Sequence, residues 1–320
     1  MRISVALPTY RGGTYLRQQL ESIQQQTRRP DELIITDDAS GDDTIVITEE
    51  FQKTASFPVK ILSNFNRLGC NRNFAEAIAR CGGDIIALSD QDDVWKSRHL
   101  ERLIAPFERD QAVSLVVSNS DFVDEDLQPT GITLWKATRF NAADARRLNR
   151  GPALREWVKH HVIAGHASAF RAKLAPAILP FAQSTYDQWL GLVCAACGKV
   201  VMIDEILTLQ HHHANQTIGH RQRTLAKRAL SEKTVSMGHF EAQIEELGQL
   251  ISRLECHPEV VWERDYQKIL HERIDLLEQR RLMRNGVAIH RAITATRLLL
   301  SGRYHRNGRG LLTYARDLRG

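Results

Sequence analysis

The feature that most constrains this chain is an alternation in its first 120 residues. Short β-branched apolar runs are separated by stretches of helical periodicity, the signature of βαβ units and a parallel sheet. Residues 3–7 read as a first strand, and Leu16, Leu20 and Ile23 then recur at i, i+4 and i+7 as one helix face. Residues 33–36 read as a second strand, which runs into Asp37-Asp38-Ala39-Ser40-Gly41-Asp42-Asp43, a turn followed by an N-capped helix. Residues 59–62 are a third strand. Residues 73–80 are a helix stopped by Gly82-Gly83, and residues 84–88 are a fourth strand feeding Ser89-Asp90-Gln91-Asp92-Asp93. A helix through Leu100, Leu103, Ile104 and Phe107 follows, then a strand at 114–117. Residues 121–180 are less regular, with a strand near 167–170, and 187–197 are helical. Beyond Gly219 the pattern is charged, strand-poor and helical: 240–254, then 260–284, then a basic tail.

Ligands of an open parallel sheet bind beyond the carboxyl ends of its strands. Three polar motifs fall there: Pro8-Thr9-Tyr10, Asp37-Asp38, and Asp90-Gln91-Asp92-Asp93. Acids gathered at strand tips repel one another. A divalent cation shared with a diphosphate offsets that repulsion, and hard oxygen donors suit Mg²⁺ or Mn²⁺. One acidic loop alone reads equally well as a solvated turn; two in one sheet favour a site.

At these residues the chain resembles the glycosyltransferase family 2 enzymes of the GT-A fold. The resemblance lies in Val5-Ala6-Leu7-Pro8-Thr9-Tyr10, in Ile35-Thr36-Asp37-Asp38-Ala39-Ser40-Gly41-Asp42-Asp43-Thr44, in Asn66-Arg67-Leu68-Gly69 with Asn73-Phe74-Ala75, and in Ser89-Asp90-Gln91-Asp92-Asp93-Val94-Trp95. It covers residues 1 to 219. It implies a Rossmann-like, mostly parallel α/β sheet flanked by helices, and a nucleotide-sugar transferase domain over 1–219. Residues 220–320 form a helical, basic extension. It further implies a nucleotide pocket lined by Pro8, Thr9, Tyr10, Asp37, Asp38, Asn66, Asp90 and Gln91, with Asp38 accepting from a pyrimidine base and Asp90 facing the ribose or sugar. Asp92 would hold Mn²⁺ or Mg²⁺. Asp93, Trp95, Gly165, His166 and Trp189 would stand on the sugar and acceptor side. Arg11 departs from the family's usual Asn and puts the shape of the first loop in question.

An inverting transfer needs a base to take the acceptor proton from across the sugar. Asp187, in Thr185-Tyr186-Asp187-Gln188-Trp189-Leu190, resembles the family's base at a helix start; a carboxylate in a helix's first turn is also explained by the helix dipole alone. Gly165 opens a segment where glycine permits close backbone approach, and His166 is either an acceptor contact or a satisfied buried histidine. Gln210-His211-His212-His213-Ala214-Asn215-Gln216-Thr217-Ile218-Gly219 resembles the end of many bacterial polysaccharide members, including rhamnosyltransferases. His213 takes the motif's His and is a second candidate for the metal, while His211 replaces its Arg.

The expected reaction moves a sugar from a UDP- or dTDP-linked donor to a hydroxyl of a saccharide or lipid-linked saccharide, in cell-surface polysaccharide synthesis. A nucleotidyltransferase acting on sugar phosphates is the rival enzyme, and a non-catalytic scaffold the rival of another class. Five scattered cysteines suggest reduced thiols. The apolar run before Pro8 is too short for a signal-peptide core, so a cytoplasmic location is expected. Residues 220–320 hold nineteen Lys and Arg against twelve Asp and Glu, leaving 24 against 26 for residues 1–219. Arg291, Arg297, Arg303, Arg306 and Arg309 interleave with Leu298-Leu299-Leu300 and Leu311-Leu312. That pattern reads as peripheral contact with the inner membrane surface, as a homodimer surface, or as packing on the catalytic domain. No nucleic-acid partner is expected.

Overall fold

The computed structural model describes residues 1–159, 165–182, 184–211, 237–258, 260, 262, 265–284 and 286–319. Its first elements are β1 (Ile3–Thr9), α1 (Leu16–Gln24), β2 (Glu32–Asp37), α2 (Thr44–Thr54), β3 (Val59–Ser63), α3 (Cys70–Ala79), β4 (Ile85–Leu88), β5 (Asp93–Trp95), α4 (His99–Arg109) and β6 (Val113–Val123). There follow β7 (Pro129–Thr133), α5 (Leu134–Thr138), α6 (Ala142–Arg150), α7 (Ala153–Trp157), β8 (Ser168–Arg171), α8 (Ala175–Ile178), α9 (Tyr186–Cys197) and β9 (Lys199–His211). Among the described residues the remaining helices are α10 (Met237–Cys256), α11 (Tyr266–Arg284), α12 (Ala288–Leu300), α13 (Arg303–Asn307) and α14 (Leu311–Arg319).

One nine-stranded sheet runs β3-β2-β1-β4-β8-β6-β9-β5, with β7 on the flank of β6. The half built from β1 to β4 is parallel, as the βαβ alternation dictates. β8 enters antiparallel between β4 and β6, which makes the other half mixed. Every residue of β1 and β2 is buried, because helices cover both faces of a parallel sheet. Period two sends Ile3, Val5, Leu7, Leu33 and Ile35 to one face, where they meet Leu16, Leu20 and Ile23 of α1 and Leu100, Leu103, Ile104 and Phe107 of α4. α3 covers the ends of β1 and β2 on the other face with Phe74, Ala77 and Ile78 buried. Full burial of each such side chain is worth about 1.5–3 kcal/mol.

β9 escapes the sequence pattern for a visible reason. Its partner register on β6 jumps from Ile203 to Ile206 and then Thr208, so Asp204 and Glu205 bulge out and break the alternation. Glu205 is held there by Arg102 of α4. The helix expected from residue 260 begins instead at Tyr266, after Asp265 takes a left-handed φ of 72°. All five cysteine thiols are free.

Residue contacts divide the chain into two compact units, Met1–Ala153 with Val162–Ile218, and Leu154–His161 with Gly219–Gly320. In the second, α11 is the spine: Leu276 and Met283 pack against Ala295, Leu298 and Tyr304. Arg280 pairs with Asp317 through two hydrogen bonds of 2.7 and 2.9 Å, and Tyr304 donates to the same carboxylate at 2.7 Å. Among the described residues no helix is long and apolar enough to cross a membrane.

The tips of β1 and β2 are tied to α3 by one side chain. Asn73 Nδ2 donates to Thr9 O at 3.1 Å and Thr36 O at 3.0 Å, and its Oδ1 accepts from Asn64 at 3.1 Å. Asn73→Ala removes both of these bonds, leaving Thr9 O with the Asp38 amide alone, and should lower the urea-unfolding free energy by about 1–3 kcal/mol.

Candidate active site

The loop after β1 is fixed by side chains rather than by its own backbone. The Gln91 amide clamps Tyr10 from both sides, Oε1 accepting from Tyr10 N at 2.8 Å and Nε2 donating to Tyr10 O at 2.9 Å. Arg11 N donates to Ser40 Oγ, Gly12 N to Thr44 Oγ1 and Gly13 N to Asp42 Oδ2, at 2.8, 2.8 and 3.1 Å. Arg11 sits at φ 50°, in the left-handed region that Asn tolerates better than Arg, which is the physical content of its departure from the family pattern. The Arg67 guanidinium caps the Tyr10 ring at 4.1 Å. The strand tips bearing Pro8, Thr9, Tyr10, Asp37, Asp38, Asp90 and Gln91 are thus laced together.

The two acids after β2 serve this scaffold. Asp37 accepts from Thr9 Oγ1, Ser40 N and Ser40 Oγ at 2.9, 2.8 and 2.6 Å. Asp38 captures the backbone amides of Leu68 at 2.6 Å and Gly69 at 2.8 Å, with Asn64 Nδ2 at 3.2 Å. Asn66, expected in the pocket, is exposed, and Asn64 two residues earlier is the one that reaches Asp38.

The acids after β4 meet a histidine that only the fold could place. β8 pairs Ala169 with Ala87 and Ser168 with Val117, running antiparallel to both neighbours. Two residues back from Ser168 therefore lie level with the end of β4 and with Ser120 of β6. His166 stands there, fully buried, with Nε2 hydrogen-bonded to Ser120 Oγ at 2.9 Å. Its Nδ1 faces Asp93 Oδ2 at 3.5 Å and Asp90 Oδ2 at 3.6 Å. Burial alone pulls an imidazolium down, but Asp93 and Asp90 with Asp92 hold His166 up to about 9. Burial pushes Asp93 well above the usual carboxylate range, His166 opposing and Asp92 and Asp90 adding to it.

Asp93 and Trp95 were expected on the sugar side; both lie inside. On β5 they are two residues apart and share the inward face, Asp93 against His166 and Trp95 in the core, stacked on His99 at 4.1 Å. Trp189 is likewise core, its indole donating to Ile178 O at 2.9 Å. Asp92 is half-buried, and its carbonyl accepts from His211 Nδ1 at 2.7 Å. The His211 ring lies 4.6 Å from that of Tyr15, tilted by 33°. His213 lies outside the described residues.

Asp187 opens α9, whose start is tied to α3: Asn71 donates to Ser184 O at 2.8 Å and accepts from Tyr186 N at 3.1 Å. Tyr186 stacks on Phe74 at 3.7 Å and donates its hydroxyl to Asp90 Oδ1 at 3.2 Å. A side chain at Gly165 would collide with the Tyr186 ring, which gives this glycine its reason. Desolvation raises the Asp187 pKa, against the hydrogen bonds it accepts from Thr185 and Gln188. The convergence of the acids is felt at one atom. Cys70 is exposed at the start of α3, and desolvation of its thiol followed by the fields of Asp90, Asp187, Asp38 and Asp92 pushes it up to about 12.

Tyr186 and Ser120 are contributors to this site that residue patterns do not single out. Asn73, part of the family resemblance, also stands out as a polar residue on the otherwise apolar face of α3. Among the described residues, Asp90, Asp93 and His166 bring ligand atoms within 4.8 Å of one another, a spacing that fits a metal ion.

An α/β sheet whose strand tips gather carboxylates around a crevice defines the GT-A class. The fold resembles that of Staphylococcus aureus TarS 1-349 in complex with UDP-GlcNAc, with a TM-score of 0.56 at 15% identity over 100% of this chain and 91% of that one. A mannosyltransferase from Pyrobaculum calidifontis in complex with GDP-Man and Mn²⁺ aligns with a TM-score of 0.50 at 16% identity, covering 81% and 75% of the two chains. The model of glycosyl transferase family 2 matches residues 4–179, and the chain belongs to that family of sugar-transferring enzymes. An uncharacterized glycosyltransferase of Nostoc sp. is 25% identical over 74% of this chain and 73% of its own length. The dTDP-rhamnosyl transferase RfbG of Shigella flexneri is 34% identical over 31% of this chain and 35% of its own.

Two outcomes follow from this geometry. A histidine raised in the fold stabilises it when protonated, so the contribution of His166 is complete below its ordinary 6.5 and fades as pH rises through about 9. Unfolding free energies measured across that window should fall for the wild type, and the His166→Gln protein should lack that component. Gly165→Ala should cost about 1–3 kcal/mol in calorimetric unfolding by driving Tyr186 off Phe74.

Proposed function

We propose that this enzyme is an inverting, divalent-cation-dependent transferase that moves a sugar from a UDP- or dTDP-linked donor to a hydroxyl of a saccharide or lipid-linked saccharide in cell-surface polysaccharide synthesis. The observation that carries this reading is that Asp38, Asp90, Asp92 and Asp187, from three separate segments, lie near enough to act together on the Cys70 thiol, with the Tyr186 hydroxyl joining the start of α9 to Asp90 at 3.2 Å. The Shigella relative's dTDP-rhamnosyl name and the UDP-GlcNAc in the S. aureus structure support the donor class. The carboxylate oxygens of Asp90 and Asp92 are hard donors of the kind that suit Mn²⁺ or Mg²⁺, and the Pyrobaculum neighbour carries Mn²⁺.

In this mechanism Tyr10 and the loop that Asp38 pins at Leu68 and Gly69 hold the nucleotide. Asp92, with Asp90, would hold the cation, which would supply the positive charge that offsets a departing diphosphate. Tyr186 and His166 orient Asp90 from either side. Asp187 takes the proton of the acceptor hydroxyl while that oxygen attacks the anomeric carbon, and the bond to the diphosphate breaks with its electron pair on the diphosphate. A raised pKa brings Asp187 closer to the pH at which it must accept that proton, which suits a general base. The nucleotidyltransferase reading fares poorly, because the Gly12 and Gly13 amides that a triphosphate would need are already donated to Thr44 and Asp42.

A panel of nucleotide sugars with Mn²⁺, scored for release of nucleoside diphosphate and for transfer, tests the reading. Asp92→Ala should abolish metal-dependent donor binding. Asp187→Asn should keep donor binding and lose about 10²–10⁴-fold in transfer rate. Normal transfer by Asp187→Asn would remove it as the base.

A further inference from the structure

The exposed large apolar side chains of this protein are unevenly distributed. Among the described residues there are eleven, and eight of them lie between Leu282 and Leu318. On α12, one face packs inward through Ala295 and Leu298. The opposite face should be polar on a globular helix. Instead Ile289, Ile293, Thr296 and Leu300 recur at i, i+4, i+7 and i+11 as one solvent-facing stripe, with the three apolar members 68%, 63% and 82% exposed. α14 repeats the device: Leu311, Ala315 and Leu318 recur at i, i+4 and i+7, all exposed, while Thr313 and Asp317 turn inward. The two stripes are neighbours, since Thr296 Oγ1 in the first lies 3.3 Å from the hydroxyl of Tyr314, which borders the second.

Charge surrounds this apolar face. Residues 286–320 contain seven Arg and one acid, Asp317, which is buried and already paired with Arg280. Arg297, Arg306 and Arg316 are exposed. A groove of about 630 Å³ borders α12, with His290, Arg291, Arg297 and Arg303 around it and Leu282 and Ile293 in its wall. Arg303 is partly neutralised by Asp275 at 2.6 Å.

We infer that the paired stripes of α12 and α14 form a docking face for a bilayer surface rich in anionic phospholipid. The helices lie in the interface, leucine and isoleucine reach the acyl boundary, and the flanking arginines meet lipid phosphates. Charge decides against the other natural occupant of an apolar face, a second copy of this chain. A two-fold interface sets the same patch of both copies face to face, and here that would bring two arginine-rich patches, each with Arg297, Arg306 and Arg316 exposed, together. The inference is independent of the transfer chemistry, because it concerns only residues of the second compact unit.

Sedimentation of the full chain with phosphatidylcholine vesicles, with and without phosphatidylglycerol, tests it. The protein should bind the anionic vesicles and be released by salt. The doubles Ile293→Asp/Leu300→Asp and Arg297→Glu/Arg316→Glu should each weaken binding about tenfold or more. All four side chains are exposed, so helicity by circular dichroism and donor hydrolysis without lipid should be unchanged. Equal binding to neutral and anionic vesicles, or undiminished binding by both doubles, would overturn the inference. So would a wild-type dimer that Ile293→Asp/Leu300→Asp converts to monomer while vesicle binding stays the same, which would assign the face to a second copy.

Discussion

The site rests on one buried cation. His166 stands beneath Asp90 and Asp93, and without it two carboxylates at the end of β4 would face each other in a crevice that also holds Asp92. Like charges about 4 Å apart in partly buried surroundings repel by about 4 kcal/mol. The imidazolium turns that repulsion into attraction from within the fold. Part of the neutralisation that the strand-tip acids demand is therefore built in. In the proposed function the outward side of Asp90 and the half-buried Asp92 would meet a cation and a diphosphate, while His166 balances the acids from within the fold.

The other acids are builders. Asp37, Asp38 and Asp42 draw in amides and hydroxyls from Thr9, Gly13, Ser40, Thr44, Leu68 and Gly69, so the loops around the crevice are held by side chains before any substrate arrives. Gln91 joins the loop after β1 to the loop after β4 as a strand partner would. Preorganisation of this kind removes the entropy of ordering from the binding step. It also means that an acid singled out by its place at a strand tip can be structural, catalytic or both.

What residue patterns reveal here follows from periodicity. β1 to β4 and the helices between them were legible because each obeys its own period and ends in a polar turn. Asp187 was legible as an acid at a helix start. β9 was not, because the bulge at Asp204 and Glu205 breaks its alternation. The position of His166 was not, because it depends on β8 entering antiparallel between two strands that are distant in sequence. Trp95 and Trp189 illustrate the opposite error: aromatic residues beside a motif attract a functional reading, and period two and helix packing place both in the core.

The central claim is that the crevice above His166 takes a divalent cation together with a nucleoside diphosphate. Diffraction at the manganese absorption edge, from crystals soaked with Mn²⁺ and nucleoside diphosphate, tests it most directly. The account predicts a single strong anomalous peak in contact with Asp92 or the outward oxygen of Asp90, bridged to the diphosphate. A diphosphate bound elsewhere, or bound in this crevice with no manganese peak beside the aspartates, would contradict it.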